Sequence, residues 1–483
     1  MPELILHTPE GDKQISFEGA PLLHELLLDQ PDAPRLPCGG NGKCGKCAVL
    51  AQGSFSALPD AQGRVLSCQA RVTGDAEVWL PRRKILTQIE TRTQESACTF
   101  EPVPGEYGAA IDLGTTTIVL QLLRLSDSKP LATVSCENPQ RLVAADVIGR
   151  IDAALKGKLP LLTNLVRDCI HVLEQEAFIR AGLPDRTADV RVIAGNTTML
   201  YLFTGRSPKS LSAAPFEADC LFGLQEERDI LPACAGAFVG ADITCAVVSS
   251  QMTHRPETAL LIDVGTNGEI VLWHNGTLRC CATAAGPAFE GSGISCGTGS
   301  IPGAIDSVCV QDGKLAFTTL ENAPACGVCG SGLIDLVAAL LETEQLDETG
   351  FLEDDIELAE KVVLTQQDIR QVQLAKGAIA AGIRTLLQEA SIEVKDVEVL
   401  YIAGGFGSHL NLTSAARIGL IPAELIPKTQ VLGNASLGGA RQLLLSRGCE
   451  REAVDIAQNA LCLNAAACAG FSDAFVECMM FDE

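Results

Sequence analysis

The chain has 483 residues, 36 basic and 60 acidic side chains, and a net charge of −24. That length suits roughly three or four domains, and 47% hydrophobic content excludes a globally disordered chain. The acidic balance excludes a nucleic-acid partner, because a polyphosphate backbone would be repelled, and two tryptophans and three tyrosines offer few surfaces for stacked bases. No run of about 18 uncharged apolar residues occurs, so no membrane-spanning helix is expected. The opening Met1-Pro2-Glu3-Leu4 lacks the basic and apolar regions of a leader, so a cytoplasmic location is expected. The 20 cysteines do not suit a disulfide scaffold, which is short and cysteine-dense. Most, such as Cys169, Cys245 and Cys281, stand singly among apolar or small residues and read as buried thiols.

Residues 1–86 form the first predicted unit. Leu4–His7 and Ile15–Phe17 read as short strands around the turn signal Pro9-Glu10-Gly11-Asp12. Pro21–Leu28 reads as a helix with proline in its first turn. A glycine-rich loop then carries Cys38, Cys44 and Cys47, and Cys68 follows at a distance, giving Cys-x5-Cys-x2-Cys-x20-Cys. Three thiolates on one loop and a fourth from a distant element can surround two irons. The glycines allow positive φ in a tight loop and let backbone N–H groups turn towards the sulfurs. A tetrahedral zinc site is the alternative, but it usually pairs Cys-x2-Cys with a second close pair, and Cys68 stands alone. The pattern resembles plant-type and adrenodoxin-like ferredoxin domains, which implies a β-grasp fold and a [2Fe–2S] cluster. The first gap is x5 where the plant-type gap is x4.

Residues 87–108 lack apolar periodicity and read as a linker. Residues 109–250 and 251–483 then share one design. Ala109–Leu120 is a strand, Asp112-Leu113-Gly114-Thr115-Thr116, and a strand; Ala259–Leu272 is a strand, Asp263-Val264-Gly265-Thr266-Asn267-Gly268, and a strand. The repetition suggests a duplicated fold. In such a turn glycine admits a polyphosphate to the backbone, threonine adds donors, and the aspartate at the strand end holds Mg²⁺ through water or positions an attacking water. A strand running into Ala403-Gly404-Gly405-Phe406-Gly407 offers flat main chain for a base and ribose. Before it, Thr365–Asp368 is a cap signal, and Ile369, Val372, Ile379, Ile383 and Leu386 follow at helical spacing. Lys376 on this helix reads either as a nucleotide contact or as a solvated lysine. These motifs together resemble the acetate and sugar kinase, heat-shock chaperone and actin superfamily, which implies a duplicated ribonuclease-H-like ATPase fold. The expected class is therefore a multidomain α+β and α/β chain that binds ATP and Mg²⁺.

Further strings lie between the motifs. Asn196 and Thr197 follow a strand and read as phosphate or water contacts, or as a turn with a cap. Glu290 reads as a Mg²⁺ or water contact, or as an exposed carboxylate. Gly330 and Gly332 open a helix and could cradle phosphate. The order of an iron–sulfur domain, a linker and an actin-like ATPase resembles the reductive activators of corrinoid proteins in methyltransferase systems. Ala145–Ile151, Gly195–Met199, Asp263–Glu269 and Gly404–Gly407 are similar to that family's strings, although better-known members carry an extra domain between linker and ATPase.

The resemblance implies one-electron reduction of an inactive Co(II) corrinoid protein to Co(I), fed by an upstream low-potential donor. It also admits a homodimer through the ATPase half. A plant-type cluster lies near −400 mV, so a cobalt couple ~0.1 V lower makes the transfer uphill by about 2.3 kcal/mol, within reach of ATP. Electron transfer cannot itself use ATP, so a conformational step has to link the two. The alternatives are an ATP-gated activator of another low-potential enzyme, a small-molecule kinase of the same fold with a redox-sensing domain, and a plain electron carrier.

Overall fold

The computed structural model describes every residue except 9, 29, 31, 35, 37–39, 43, 44, 81–88, 94–97, 266, 406, 482 and 483. The expected ligands Cys38 and Cys44, and the expected phosphate contact Thr266, lie outside the described residues.

The N-terminal unit comprises β1 (Glu3–Thr8), β2 (Gly11–Ser16), α1 (Leu23–Leu27), β3 (Ala48–Phe55), β4 (Arg64–Leu66) and β5 (Val72–Trp79). Its sheet runs β2-β1-β5-β3-β4, with β1 parallel to β5 and the other pairs antiparallel. Period-two alternation puts Leu4 and Leu6 of β1 and Val72, Ala76 and Val78 of β5 in one core, which Leu23 and Leu27 of α1 close. A mixed sheet with one packed helix is compatible with the expected β-grasp unit.

The described part of residues 87–108 is a strap rather than a free linker. Thr93 bridges Gly433, the Asn434 N–H donates to the Arg92 carbonyl at 2.9 Å, and Val103 enters the apolar core between the lobes. The Glu101 and Val103 N–H groups donate to the carbonyls of Leu445 and Leu444, each at 2.9 Å. This segment has too few apolar residues to fold alone. Its backbone groups are satisfied instead by a sheet edge and a helix end of the last lobe.

The first lobe holds β6 (Tyr107–Leu113), β7 (Thr117–Arg124), β8 (Lys129–Glu137), α2 (Val147–Ala153), α3 (Leu159–Arg180), β9 (Val190–Gly195), α4 (Thr197–Thr204), β10 (Leu224–Glu226), β11 (Asp229–Leu231) and α5 (Ala241–Ser250). The second begins with β12 (Ala259–Val264), β13 (Gly268–His274), β14 (Thr277–Thr283), β15 (Ala304–Gln311), β16 (Lys314–Thr319), β17 (Gly327–Val328) and α6 (Gly330–Glu342). It continues through β18 (Ile356–Ala359), β19 (Val362–Leu364), α7 (Gln366–Glu389), β20 (Val399–Ala403), α8 (Leu412–Arg417) and β21 (Thr429–Gly433). It ends with α9 (Ala435–Leu445), α10 (Arg447–Asn459), β22 (Leu461–Leu463) and α11 (Phe471–Cys478).

The two six-stranded sheets repeat one plan. In β10-β11-β9-β6-β7-β8 the meander β6-β7-β8 is flanked by parallel β9, and in β21-β20-β12-β13-β14-β22 the meander β12-β13-β14 is flanked by parallel β20. The two Asp-x-Gly-Thr turns therefore occupy equivalent hairpins, as their repetition in the sequence implies. Helices α5 and α9 pack together between the sheets and share one core with both. The expected helix is α7, capped by Thr365, whose hydroxyl and carboxylate partner is Asp368. Lys376 of α7 is not solvated and does not line the cavity described below. It is buried, donates to the Met480 carbonyl, and lies 5.0 Å over the Phe481 ring.

Candidate functional site

The two hairpin turns, the glycine turn after β20 and one face of the N-terminal unit enclose a cavity of about 780 Å³. Such a volume suits a nucleotide-sized ligand. Asp112, Gly114, Thr115, Thr116, Asn196, Asp263, Gly265, Asn267, Glu290, Gly330, Gly404 and Gly405, all expected from the sequence, line it. Three expected residues do not. Thr197 is fully buried, and its hydroxyl donates to the Gly236 carbonyl at 2.7 Å. A Cβ on Gly268 would sit 2.6 Å from Ile379, so this glycine serves the packing of β13 on α7. A Cβ on Gly332 would sit 2.2 Å from the Ile305 carbonyl oxygen, so that glycine serves the packing of α6 on β15.

Asp112 ends β6 and is gripped from the far side of the fold. Asn434 Nδ2 and Ser436 Oγ each donate to its carboxylate at 2.8 Å. Asn434 is in turn the residue whose N–H is held by the strap at Arg92. Burial pushes the Asp112 carboxyl up, while the two donors pull it back towards the charged form. The first phosphate turn is braced from behind. Asn138 Nδ2 donates to the Gly114 carbonyl at 2.8 Å, and the buried Arg150 donates to the Thr115 carbonyl at 2.6 Å. Asn196 does two things: its Oδ1 caps α4 at Met199, and its Nδ2 donates to Thr115 Oγ1 at 3.0 Å. It positions the turn. Thr116 Oγ1 donates to Glu290 at 2.9 Å and so ties the first lobe to the second across the cleft.

Asp263 ends β12, where burial and the charges of Asp112 and Glu290 push its pKa up to about 7. Gly404 follows β20 at φ +89°, and a Cβ there would lie 2.4 Å from Asp263 Oδ1. The chain can pass this close only as glycine. Four further carboxylates that the sequence reading did not assign, Asp32, Glu90, Asp242 and Glu269, also line the cavity. Burial, with Asp263 next in effect, pushes Asp242 in the first turn of α5 up to about 7. Burial and Asp242 push Glu269 of β13 well up. These buried carboxylates oppose one another's ionisation, and among the described residues no three His, Cys, Asp or Glu side chains stand close enough to hold a metal ion by themselves. Arg141, Asn434 and Ser436 were also unassigned. The readable signals were an aspartate just after Gly240 at a helix start, and Gly433-Asn434 after β21 in the same strand–glycine–turn figure as Gly404.

Of the expected cluster ligands, Cys47 and Cys68 are described. Both are buried, and their sulfurs stand 3.3 Å apart beside Leu36 and Leu66. Gly40, Gly42 and Gly45 of the loop all adopt positive φ, and Gln69 braces it by donating to the Gly40 carbonyl. Two thiols within this distance, on separate elements, can serve one metal centre.

Comparison with known proteins agrees with this geometry. Residues 257–483 match the family described as the C-terminal domain of RACo, the ASKHA domain, and residues 107–255 match the RACo middle region. The corrinoid activation enzyme RamQ of Eubacterium limosum is 27% identical, covering 85% of this chain and 88% of that protein. The [Co(II) methylated amine-specific corrinoid protein] reductase of Methanosarcina barkeri is 26% identical over 73% of this chain and 72% of that protein. A solved reductive activator for corrinoid, iron–sulfur protein superposes with TM-score 0.72 at 28% identity, covering 99% of this chain and 98% of that one. With two adjoining models of one family spanning residues 107–483 and a full-length structural likeness, the chain belongs to the RACo family and carries an ASKHA ATPase domain.

Proposed function

We propose that this protein is an ATP-dependent reductive activator of a corrinoid protein, returning inactive Co(II) to Co(I) by one-electron transfer in a methyltransferase system. The observation that carries this reading is the shared cavity: Lys46 and Leu80 of the N-terminal unit line the same space as Asp112 and Asp263 of the ATPase lobes. A [2Fe–2S] cluster held by Cys38, Cys44, Cys47 and Cys68 would supply the one-electron centre. The thiol pair, its apolar surroundings and the positive-φ glycines fit that group.

The residues of the cleft have separable tasks. Thr115, Thr116 and the turn N–H groups receive phosphate oxygens. Asp112 and Asp263, with Asp242 and Glu269 behind them, would hold the Mg²⁺ that accompanies ATP, with water and phosphate oxygens completing its donors, and would orient water for attack on the terminal phosphate. Gly404 and Gly405 receive the adenosine. Electron transfer makes no use of phosphate chemistry, so ATP acts by favouring one arrangement of the N-terminal unit, strap and lobes over another. The strap is suited to this, because the Asn434 that it holds also holds Asp112. This reading implies an upstream low-potential electron donor and a cytoplasmic location.

The test mixes the reduced holoprotein anaerobically with a Co(II) corrinoid protein, with and without MgATP. Co(I) absorption that appears only with MgATP is the expected result. No Co(I) under either condition refutes the reading.

A further inference from the structure

The N-terminal unit rests on the turn that props the first phosphate loop. His24 Nε2 donates to the Leu142 carbonyl, the Leu36 N–H donates to the Arg141 carbonyl at 3.5 Å, and the Leu142 side chain joins the N-terminal core. Asn138, at the start of the same turn, holds the Gly114 carbonyl through its side chain and donates its N–H to the Thr116 carbonyl at 2.8 Å. The unit thus walls one side of a cavity crowded with carboxylates. Among the described residues that line it, the fixed cations are Arg141 and Lys46. Arg141 is 6% exposed, and its buried Nε meets no acceptor. An unmatched buried guanidinium N–H is costly, and a phosphate oxygen is the acceptor that suits it best. Lys46 faces the same space from the loop between Cys44 and Cys47.

We propose that Arg141 and Lys46 form a split phosphate site that grips the terminal phosphate of the nucleotide, one cation from the ATPase lobe and one from the cluster-bearing unit. The inference rests on the nucleotide-binding reading above and adds to it a direct link. The anion bridges the two units, so a nucleoside triphosphate docks the cluster loop on the cleft and a diphosphate holds it less firmly. Differential affinity for the two arrangements is what coupling requires. No intermediary is needed, because Lys46 neighbours a cluster ligand in the chain.

The test titrates holoprotein with the magnesium complexes of ADP and of the β,γ-imido analogue of ATP, reading affinity by calorimetry and the cluster environment by visible circular dichroism. In Lys46→Gln, affinity for the triphosphate analogue is expected to fall about tenfold, the worth of one charge-assisted phosphate contact, with the diphosphate changed little. The nucleotide-induced change in the cluster spectrum is expected to vanish, while iron content stays at the wild-type level. Lys46→Arg should restore both. Arg141→Gln, which leaves the cluster loop untouched, should show the same selective loss for the triphosphate. Equal triphosphate affinity in wild type and Lys46→Gln overturns the split site and leaves the ATPase reading standing. Failure of the wild type to bind either nucleotide overturns both.

Discussion

Replacing Asp263 by asparagine removes a charge that the fold opposes. Burial and the neighbouring Asp112 and Glu290 charges raise its pKa from 3.8 to about 7, and at 1.36 kcal/mol per unit this rise is worth roughly 4 kcal/mol. Between these two values the native state keeps a proton that the unfolded chain has released. Stability of the nucleotide-free protein therefore falls as pH rises through that window, and the full loss is reached above pH 7. Asparagine does not titrate. Asp263→Asn should then be more stable than wild type at pH 8, by up to roughly 4 kcal/mol, and by about half that at pH 5.5. Midpoints from denaturant unfolding at several pH values, without metal or nucleotide, measure this directly. Saturating Mg²⁺ should narrow the gap at pH 8, because the cation favours the ionised wild-type carboxylate. The same variant should lose MgATP hydrolysis by at least about a hundredfold, as expected for a group that positions metal or water. A variant less stable than wild type at pH 8, or a difference that does not grow with pH, refutes the reasoning that Asp263 is a buried charge held ready for a cation.

Gly404→Ala places a methyl 2.4 Å from Asp263 Oδ1 at φ +89°, so nucleotide affinity should drop by more than about tenfold while iron content is retained, measured by calorimetry and iron assay. Removing the Asp112 donors with Asn434→Ala or Ser436→Ala takes away what favours its charged form, so the acid limb of the ATP hydrolysis profile should move to higher pH. An unmoved limb would mean that Asp112 ionisation does not govern hydrolysis. His24 is buried with its pKa lowered by burial. Its neutral form is favoured in the docked state, so docking weakens as pH falls below the ordinary value of 6.5. Small-angle scattering should show expansion on acidification in wild type and none in His24→Gln, which keeps a donor for Leu142 but does not titrate.

What could be read from the chain alone was local. Asp112, Asp263 and Gly404 were legible because strand, turn glycine and carboxylate lie within a few residues of one another, and turn chemistry is written at that range. Helix α7 was legible for the same reason, through its cap and its apolar period. The cysteine spacing is local in the same way, and from it came the expectation of a loop able to surround metal.

The rest depended on contacts across the sequence. Asn434 and Ser436 reach Asp112 from 322 and 324 residues away, and no local pattern marks a side chain whose partner is that remote. Asp242 and Glu269 become site residues only when both lobes close round one cavity. Gly268 and Gly332 look, in their strings, like phosphate glycines, yet each is small because a neighbouring element passes over it. Lys376 was read as a nucleotide contact or a solvated lysine, and packing made it a buried anchor for the C-terminal residues. The segment expected as a linker was polar enough to be one, but a sheet edge with free hydrogen-bonding groups drew it down as a strap. Turn and period are properties of neighbouring residues, so the sequence alone determines them. Which distant groups share a carboxylate, a cavity or a charge is settled only when folding brings those groups together out of water.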